Sequence, residues 1–282
     1  MNRNSIWRRV EGCHPSRRSL LLCLLLVSYS LFSFHYFLPQ QQNGGISSLH
    51  GRSSDEDGTG TLKPPTITVA IPSIREDIDV NLPRLKKSIE AQTSLPDEVV
   101  LVVSGVQPEE CPRFNEWKVI CHQPLIHAGI ARNLVWERAS SELVSFFDAD
   151  DQMYPERISA IRSYFMQHPD LQLLLHSFSA DPLKDHNASV VKSVELDGHA
   201  IYATAVKTEG RRDWVLEKAA HGHPTIRKSI HCAPFPAVYG EDAHFVRSCI
   251  HSFGNSSEAI AYIPNELTLY VPRNVQKRGA TA

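Results

Sequence analysis

The chain has 282 residues, 42% of them hydrophobic and 21% charged, which is enough apolar material for one large domain or two small ones. Lys and Arg number 29 against 31 Asp and Glu, and the basic residues beyond position 60 are scattered. With a formal net charge of −2 there is no basic field to hold a nucleic acid, so that class of partner is set aside.

Composition breaks near the start. Residues 19–38, SLLLCLLLVSYSLFSFHYFL, carry no formal charge and are long enough to cross about 30 Å of hydrocarbon as a helix. Arg3, Arg8, Arg9, Arg17 and Arg18 precede this run, and the next basic residue apart from His50 is Arg52. The charge asymmetry predicts a cytosolic tail over 1–18, a transmembrane signal anchor over 19–38 and a lumenal remainder. A cleaved signal peptide competes with this reading, but the leader and the run are both long and no clear small-x-small site follows.

Residues 39–63 are polar and rich in Gly and Ser, the composition of a flexible stem. Within it, DEDGTG looks like the Asp-x-Asp-Gly-Thr nucleophile loop of haloacid-dehalogenase-type phosphatases. That loop must follow a buried strand, whereas SSLHGRSS precedes it here, so Asp55 and Asp57 read as solvated linker charge. Beyond the span, Cys111, Cys121, Cys232 and Cys249 allow three disulfide pairings, with small buried apolar side chains as the alternative. Asn187 and Asn255 each begin a glycosylation tripeptide.

From residue 64 apolar runs alternate with helical periodicity. ITVAIPS predicts a strand; Leu82, Leu85 and Ile89 predict a helix with Pro83 in its first turn. EVVLVVSG is a strand whose continuous apolar run suits burial on both faces. KVICHQ, a helix with Ala131, Leu134, Val135 and Ala139 on one face, and the strand LVSFF follow. Pro155 then introduces a helix with an Ile158, Ile161, Phe165 stripe, closed by Pro169. Further on come a strand LQLLLHSF, an ambiguous stretch over 181–206, a strand around PTIRKSI, a helix from about 241 to 252 stopped by Gly254, and two short strands, AIAYI and LTLYV. The expected fold is an α/β three-layer sandwich with a mainly parallel central sheet, in one domain over 64–282.

Ligands of such sheets sit beyond the carboxyl ends of the strands, and LVSFF ends in Asp148, Asp150 and Asp151. Three carboxylates beside a buried strand cost several kcal/mol unless something positive sits among them. With no cysteine or imidazole cluster adjacent in sequence, the expected cation is Mn²⁺ or Mg²⁺ bridging a diphosphate.

FFDADDQMYPERI closely resembles the acidic strand end and x-Pro helix of family 2-type GT-A glycosyltransferases. TITVAIPSIRED is similar to that family's first nucleotide-binding strand, AGIARNLVWERA to its Ala-Arg-Asn helix, and YGEDAHFVR to its later Glu-Asp motif. The resemblance implies a GT-A-like fold and a nucleotide-sugar donor, a UDP-sugar before others, bound with Mn²⁺ or Mg²⁺. It implies Asp148 at the ribose or base, Asp150 as metal ligand with Asp151 assisting, and Asp242 as catalytic base. Pro72, Ser73 and Arg75 would line the nucleotide pocket, with Arg132 near the diphosphate or the acidic turn.

Two departures accompany the resemblance. Ser104 and Gly105 stand where the family usually has an aspartate that touches the nucleobase. No histidine is assigned as a further ligand, since His221, His223, His231, His244 and His251 compete, with His223 the best placed. The expected protein is an inverting, single-pass type II glycosyltransferase of a Golgi or ER membrane, acting on a glycan, protein or lipid acceptor. A non-catalytic nucleotide- or sugar-binding module of the same fold, and a metal-dependent hydrolase, are the alternatives.

Overall fold

The computed structural model describes residues 63–181, 222–230, 232–253, 256 and 258–271. The expected anchor, most of the stem, Asn187, Asn255, Gly254 and nearly all of the ambiguous stretch lie outside them. Among the described residues no helix is long and apolar enough to cross a membrane.

The elements run β1 (Ile67–Ile74), a 3-10 turn (Arg75–Asp77), α1 (Asn81–Glu90), β2 (Glu98–Ser104), β3 (Lys118–His122), α2 (Ala128–Arg138) and β4 (Leu143–Phe146). Then follow β5 (Gln152–Met153), α3 (Arg157–Gln167), β6 (Leu173–Ser179), β7 (Thr225–Arg227), α4 (Glu241–Phe253) and β8 (Ile260–Leu269). One eight-stranded sheet has the order β3-β2-β1-β4-β7-β6-β8-β5. β1 pairs in parallel with β2 and β4, β2 with β3, and β6 with β8, while β7 is antiparallel to both neighbours and β5 to β8.

The strands divide their side chains by the period of two that a pleated backbone imposes. Val69, Ile71, Leu101 and Val103 face α1 and α3, meeting Leu82, Leu85, Ile158, Ile161 and Phe165. Ala70, Val100, Val102 and Phe146 face α2 and α4, meeting Val135, Phe245, Val246 and Ile250. These two cores on opposite faces of the sheet make the three layers, and they explain why β1 and β2 are apolar on both sides.

The structure adds the short strand β5 to the expected elements and differs from them in two further places. α2 buries Arg132 beside Ala131 and Val135, while Leu134 is only partly covered, because an ion-pair network described below draws the arginine inward. AIAYI and LTLYV form the single strand β8. His176 pairs with Ile263 but Ser177 with Glu266, so Pro264 and Asn265 bulge out of the ladder. Proline has no N–H to give to a ladder, and the bulge lets pairing resume beyond it.

Two disulfides, Cys111–Cys121 and Cys232–Cys249, select one of the three possible pairings. Closing loops this short contributes about 3 kcal/mol each in chain-entropy terms. At the end of the sheet opposite the acidic turn, Glu98 binds Lys118 Nζ, Thr68 Oγ1, and Ser140 through its N–H and Oγ. Burial would raise this carboxyl, but those hydrogen bonds outweigh it and lower it from 4.5 to about 2. A depressed folded value gives stability that is present above pH 4.5 and lost as pH falls towards 2. Glu98→Gln is therefore expected to cost about 1–2 kcal/mol at neutral pH, the exposed Lys118 being screened by solvent. Denaturant titrations of both proteins should show the gap closing across that acid range.

Candidate active site

A cavity of about 680 Å³ opens at the carboxyl ends of β1, β2 and β4. Pro72, Ser73 and Asp77 line one side and Asp148, Asp150 and Asp151 the floor; the first turn of α4 with Asp242 lines another. Asp148 and Asp242 converge on Gly222. A Cβ there would stand 2.8 Å from Asp148 Oδ2, too close without a shift, and 3.6 Å from Asp242 Oδ2, an ordinary contact, so glycine makes room for Asp148. Asp242 Oδ1 accepts from the N–H of Ala243 at 2.7 Å.

Guanidinium groups supply the positive charge that the acidic turn requires. Arg132, 4% exposed, donates to Asp148 Oδ1 at 2.6 Å and to Glu241 Oε1. Arg84 donates to the main-chain oxygen of Asp150 at 2.6 Å. Arg157 is fully buried, and burial pulls it down to about 9, with Asp151 acting to raise it, so it stays charged at neutral pH. Burial alone would raise the Asp148 carboxyl, but Arg132 and then His223 hold it far below the usual carboxylate range.

The sequence around Arg132 is built to deliver it. A Cβ on Gly129 would overlap Pro236 O, so glycine allows α2 to lie against the segment leading to α4. Asn133 fixes the same contact twice, donating to Phe235 O at 3.0 Å and accepting from Phe235 N at 2.9 Å. Arg132 then lies over the Phe235 ring, 5.6 Å from its centroid.

His223, just before β7, is buried against the turn. Its Nε2 lies 3.2 Å from Asp151 Oδ2 and 3.6 Å from Asp148 Oδ2, and among the described residues no acceptor reaches full hydrogen-bond alignment with it. Burial lowers its basicity, but the two carboxylates outweigh that and raise it. The same field that would keep a proton on Nε2 would hold a cation there. Ligand atoms of Asp148, Asp151 and His223 all lie within 4.8 Å of one another. Two carboxylates and one imidazole are a donor set that fits Mn²⁺ better than the oxygen-seeking Mg²⁺.

The predicted site residues are distributed as follows. Pro72, Ser73, Arg132, Asp148, Asp150, Asp151 and Asp242 share the one cavity. Arg75 does not join them: at the cavity's edge of the sheet it turns away to pair with Glu110 at 2.8 Å. Asp150 lies outside the group of possible ligands formed by Asp148, Asp151 and His223. Among the described residues His223 is the histidine brought to the turn, 75 positions beyond Asp148 by residue number, a distance no local pattern spans; His221 and His231 lie outside those residues. Sequence reasoning missed Asp77, which accepts from Ser73 Oγ, Ile74 N and Asn81 Nδ2; its place in ED after a strand end was the available signal. Ser104 is buried at the end of β2 and donates to Ser73 O at 3.4 Å.

The family model of glycosyl transferase family 2 matches residues 68–227, and the chain belongs to that family. Among curated proteins none matches it. Among solved structures, S. aureus TarS 1–349 superposes with a TM-score of 0.51 at 17% identity, over 76% of this chain and 62% of that one. The same fragment in complex with UDP-GlcNAc gives 0.50 at 16% identity, over 74% of this chain and 59% of that one. Glucosyl-3-phosphoglycerate synthase from Mycobacterium tuberculosis, in complex with Mn²⁺ and UDP-glucose, gives 0.50 at 17% identity, over 77% and 74%. Identities this low establish a shared fold, and the chain spans under two thirds of the TarS fragment.

Removing Arg132 leaves buried carboxylates facing one another. Arg132→Met is expected to lose about 3–5 kcal/mol at neutral pH. The folded Asp148 value is depressed, so its contribution is present above the unfolded value near 3.8 and fades as pH falls below it. Thermal melts should show the variant's deficit shrinking in acid.

Proposed function

We propose that this protein transfers a sugar from a metal-bound nucleotide sugar to an acceptor hydroxyl, with inversion at the anomeric carbon. The observation that carries this reading is the convergence of two differently equipped carboxylates on Gly222. Asp148 belongs to a metal-fitting group with Asp151 and His223, whereas Asp242 stands across the cavity with one oxygen held by its own helix. Membership of family 2 supports the reaction class, and solved proteins of this fold bind UDP-sugars, one of them with Mn²⁺. A UDP-sugar is accordingly the first donor to try.

A divalent ion bound by Asp148, Asp151 and His223, with Asp150 beside them, would supply positive charge opposite the departing diphosphate. Pro72 and Ser73, at the end of β1, would seat the nucleoside, with Asp77 bracing Ser73. Asp242 Oδ2 would take the proton from the acceptor hydroxyl as its oxygen bonds to the anomeric carbon and the bond to phosphate breaks. Arg132, gripping Asp148 with one nitrogen and Glu241 with the other, sets the distance between the two halves of the reaction.

The proposed setting is the lumen of the Golgi or ER, reached through a type II anchor at 19–38. The two disulfides support an oxidising compartment. In a eukaryotic host the protein should then carry a glycan on Asn187 or Asn255, seen as a mobility shift after glycosidase treatment.

Two measurements test the function itself. UDP and Mn²⁺ together should raise the melting temperature by more than the sum of their separate effects, and Asp151→Asn or His223→Ala should remove the excess. Asp242→Asn should slow transfer by roughly 10² to 10⁴ while leaving nucleotide affinity intact, because an amide cannot accept the proton. Nucleotide binding without transfer from any nucleotide sugar would instead mark a binding module.

A further inference from the structure

Among the described residues, neither Arg84 nor Arg157 hydrogen-bonds a carboxylate, but Arg84 is only partly buried and Arg157 has no contact with water. It begins α3 and is fully buried. Its guanidinium donates to His176 Nε2, to Thr268 Oγ1 at 3.3 Å, to Ser145 Oγ at 3.0 Å, to Phe146 O at 3.4 Å and to His223 O at 3.2 Å. These acceptors come from β6, β8, the end of β4 and the segment before β7. All of them are neutral, which makes this an expensive way to bury a charge.

His176 shows that the arrangement is specific. Its Nδ1 faces Ser177 O at 2.8 Å, and a carbonyl only accepts, so Nδ1 carries the proton and Nε2 is left as a lone pair aimed at Arg157. A neutral imidazole therefore anchors the guanidinium from behind. In front, the contacts converge on His223. Arg157 holds its main-chain oxygen and touches Thr268 Oγ1, which lies 3.2 Å from His223 Nδ1. The Phe147 ring carries Arg157 on its face, 4.9 Å from the centroid, and stacks against the His223 ring at 4.4 Å and 17°. The main chain, the ring plane and the Nδ1 side of His223 are thus each fixed by Arg157 or by a group that Arg157 touches.

We infer that Arg157 is a positioning residue for metal binding: through Thr268 and Phe147 it aims Nε2 of His223 at the carboxylates of Asp148 and Asp151. The inference rests on the metal group proposed above. Groups that orient a metal-bound imidazole through its other nitrogen typically govern affinity by ten- to a hundredfold.

The test uses the full chain and Mn²⁺ alone, titrated by the electron paramagnetic resonance signal of the free ion. Arg157→Met and Thr268→Val should each weaken Mn²⁺ binding about tenfold or more, and Arg157→Lys should fall between wild type and Arg157→Met. The Mn²⁺ concentration needed for half-maximal activity should rise in parallel, with a smaller change in the rate at saturating metal. A purely structural role would lower the metal-free melting temperature without changing Mn²⁺ affinity in the molecules that fold. Thr268→Val is nearly isosteric and keeps the question open to measurement if Arg157→Met does not fold. Wild-type Mn²⁺ affinity in Thr268→Val, or in a folded Arg157→Met, overturns the inference. Absence of Mn²⁺ binding by the wild type would instead overturn the metal reading itself.

Discussion

The ion pair between Arg132 and Asp148 is the interaction on which the site depends. Three carboxylates follow one buried strand, and a unit charge a few ångströms away is worth roughly 4 kcal/mol at an effective dielectric of 20. That is the size of the penalty for burying one of them unpaired. Arg132 meets it at Asp148 and, by also holding Glu241, brings the start of α4 to the same place. Arg132 is thus a direct charge link between the helix bearing Asp242 and the strand that leads to Asp148. Arg84, at the main-chain oxygen of Asp150, and Arg157, within the field of Asp151, complete the neutralisation from two further helices.

The part of the fold written in local pattern was legible from the residues. β1, β2, α1 and α3 follow from runs and spacings a few residues long, and both cores assemble from the side chains those spacings point inward. The acidic turn was legible for the same reason, because a strand end, its charges and a helix-starting proline are consecutive. What local pattern does not encode is which distant group answers a charge. Arg132 takes an apolar-looking position in α2 because Asp148 and Glu241 draw it there. Arg75, adjacent to the predicted pocket, is claimed by Glu110 instead. His223 could not be separated from its neighbours in sequence until β7 was seen to lie beside β4.

The site also combines two kinds of support. Pro72, Ser73 and Asp148 stand at strand ends in the parallel half of the sheet, where helices cover both faces. Asp242 stands on the first turn of α4, secured at one end by Arg132 and tied through Cys249 to Cys232 in the segment that leads into it. Reduction of Cys232–Cys249 would loosen the approach to α4, and reduction of Cys111–Cys121 would loosen β3 at the edge of the sheet.

The bulge at Pro264 and Asn265 has a consequence for how this chain can vary in length. Side chains alternate along β8, so Thr268 points towards His223 and Arg157 while Leu267 is packed in the core. The ladder slips twice before Thr268, once over Pro264 and Asn265 and once at Leu267, because Ser177 pairs with Glu266 and Phe178 with Thr268. The ladder is already out of step at the bulge, so a residue gained or lost there can be absorbed without reversing the faces beyond it. Length changes in this strand are thus absorbed most readily from Pro264 to Leu267, and the pairs Phe178–Thr268 and Ser179–Leu269 beyond it keep Thr268 in register with the site.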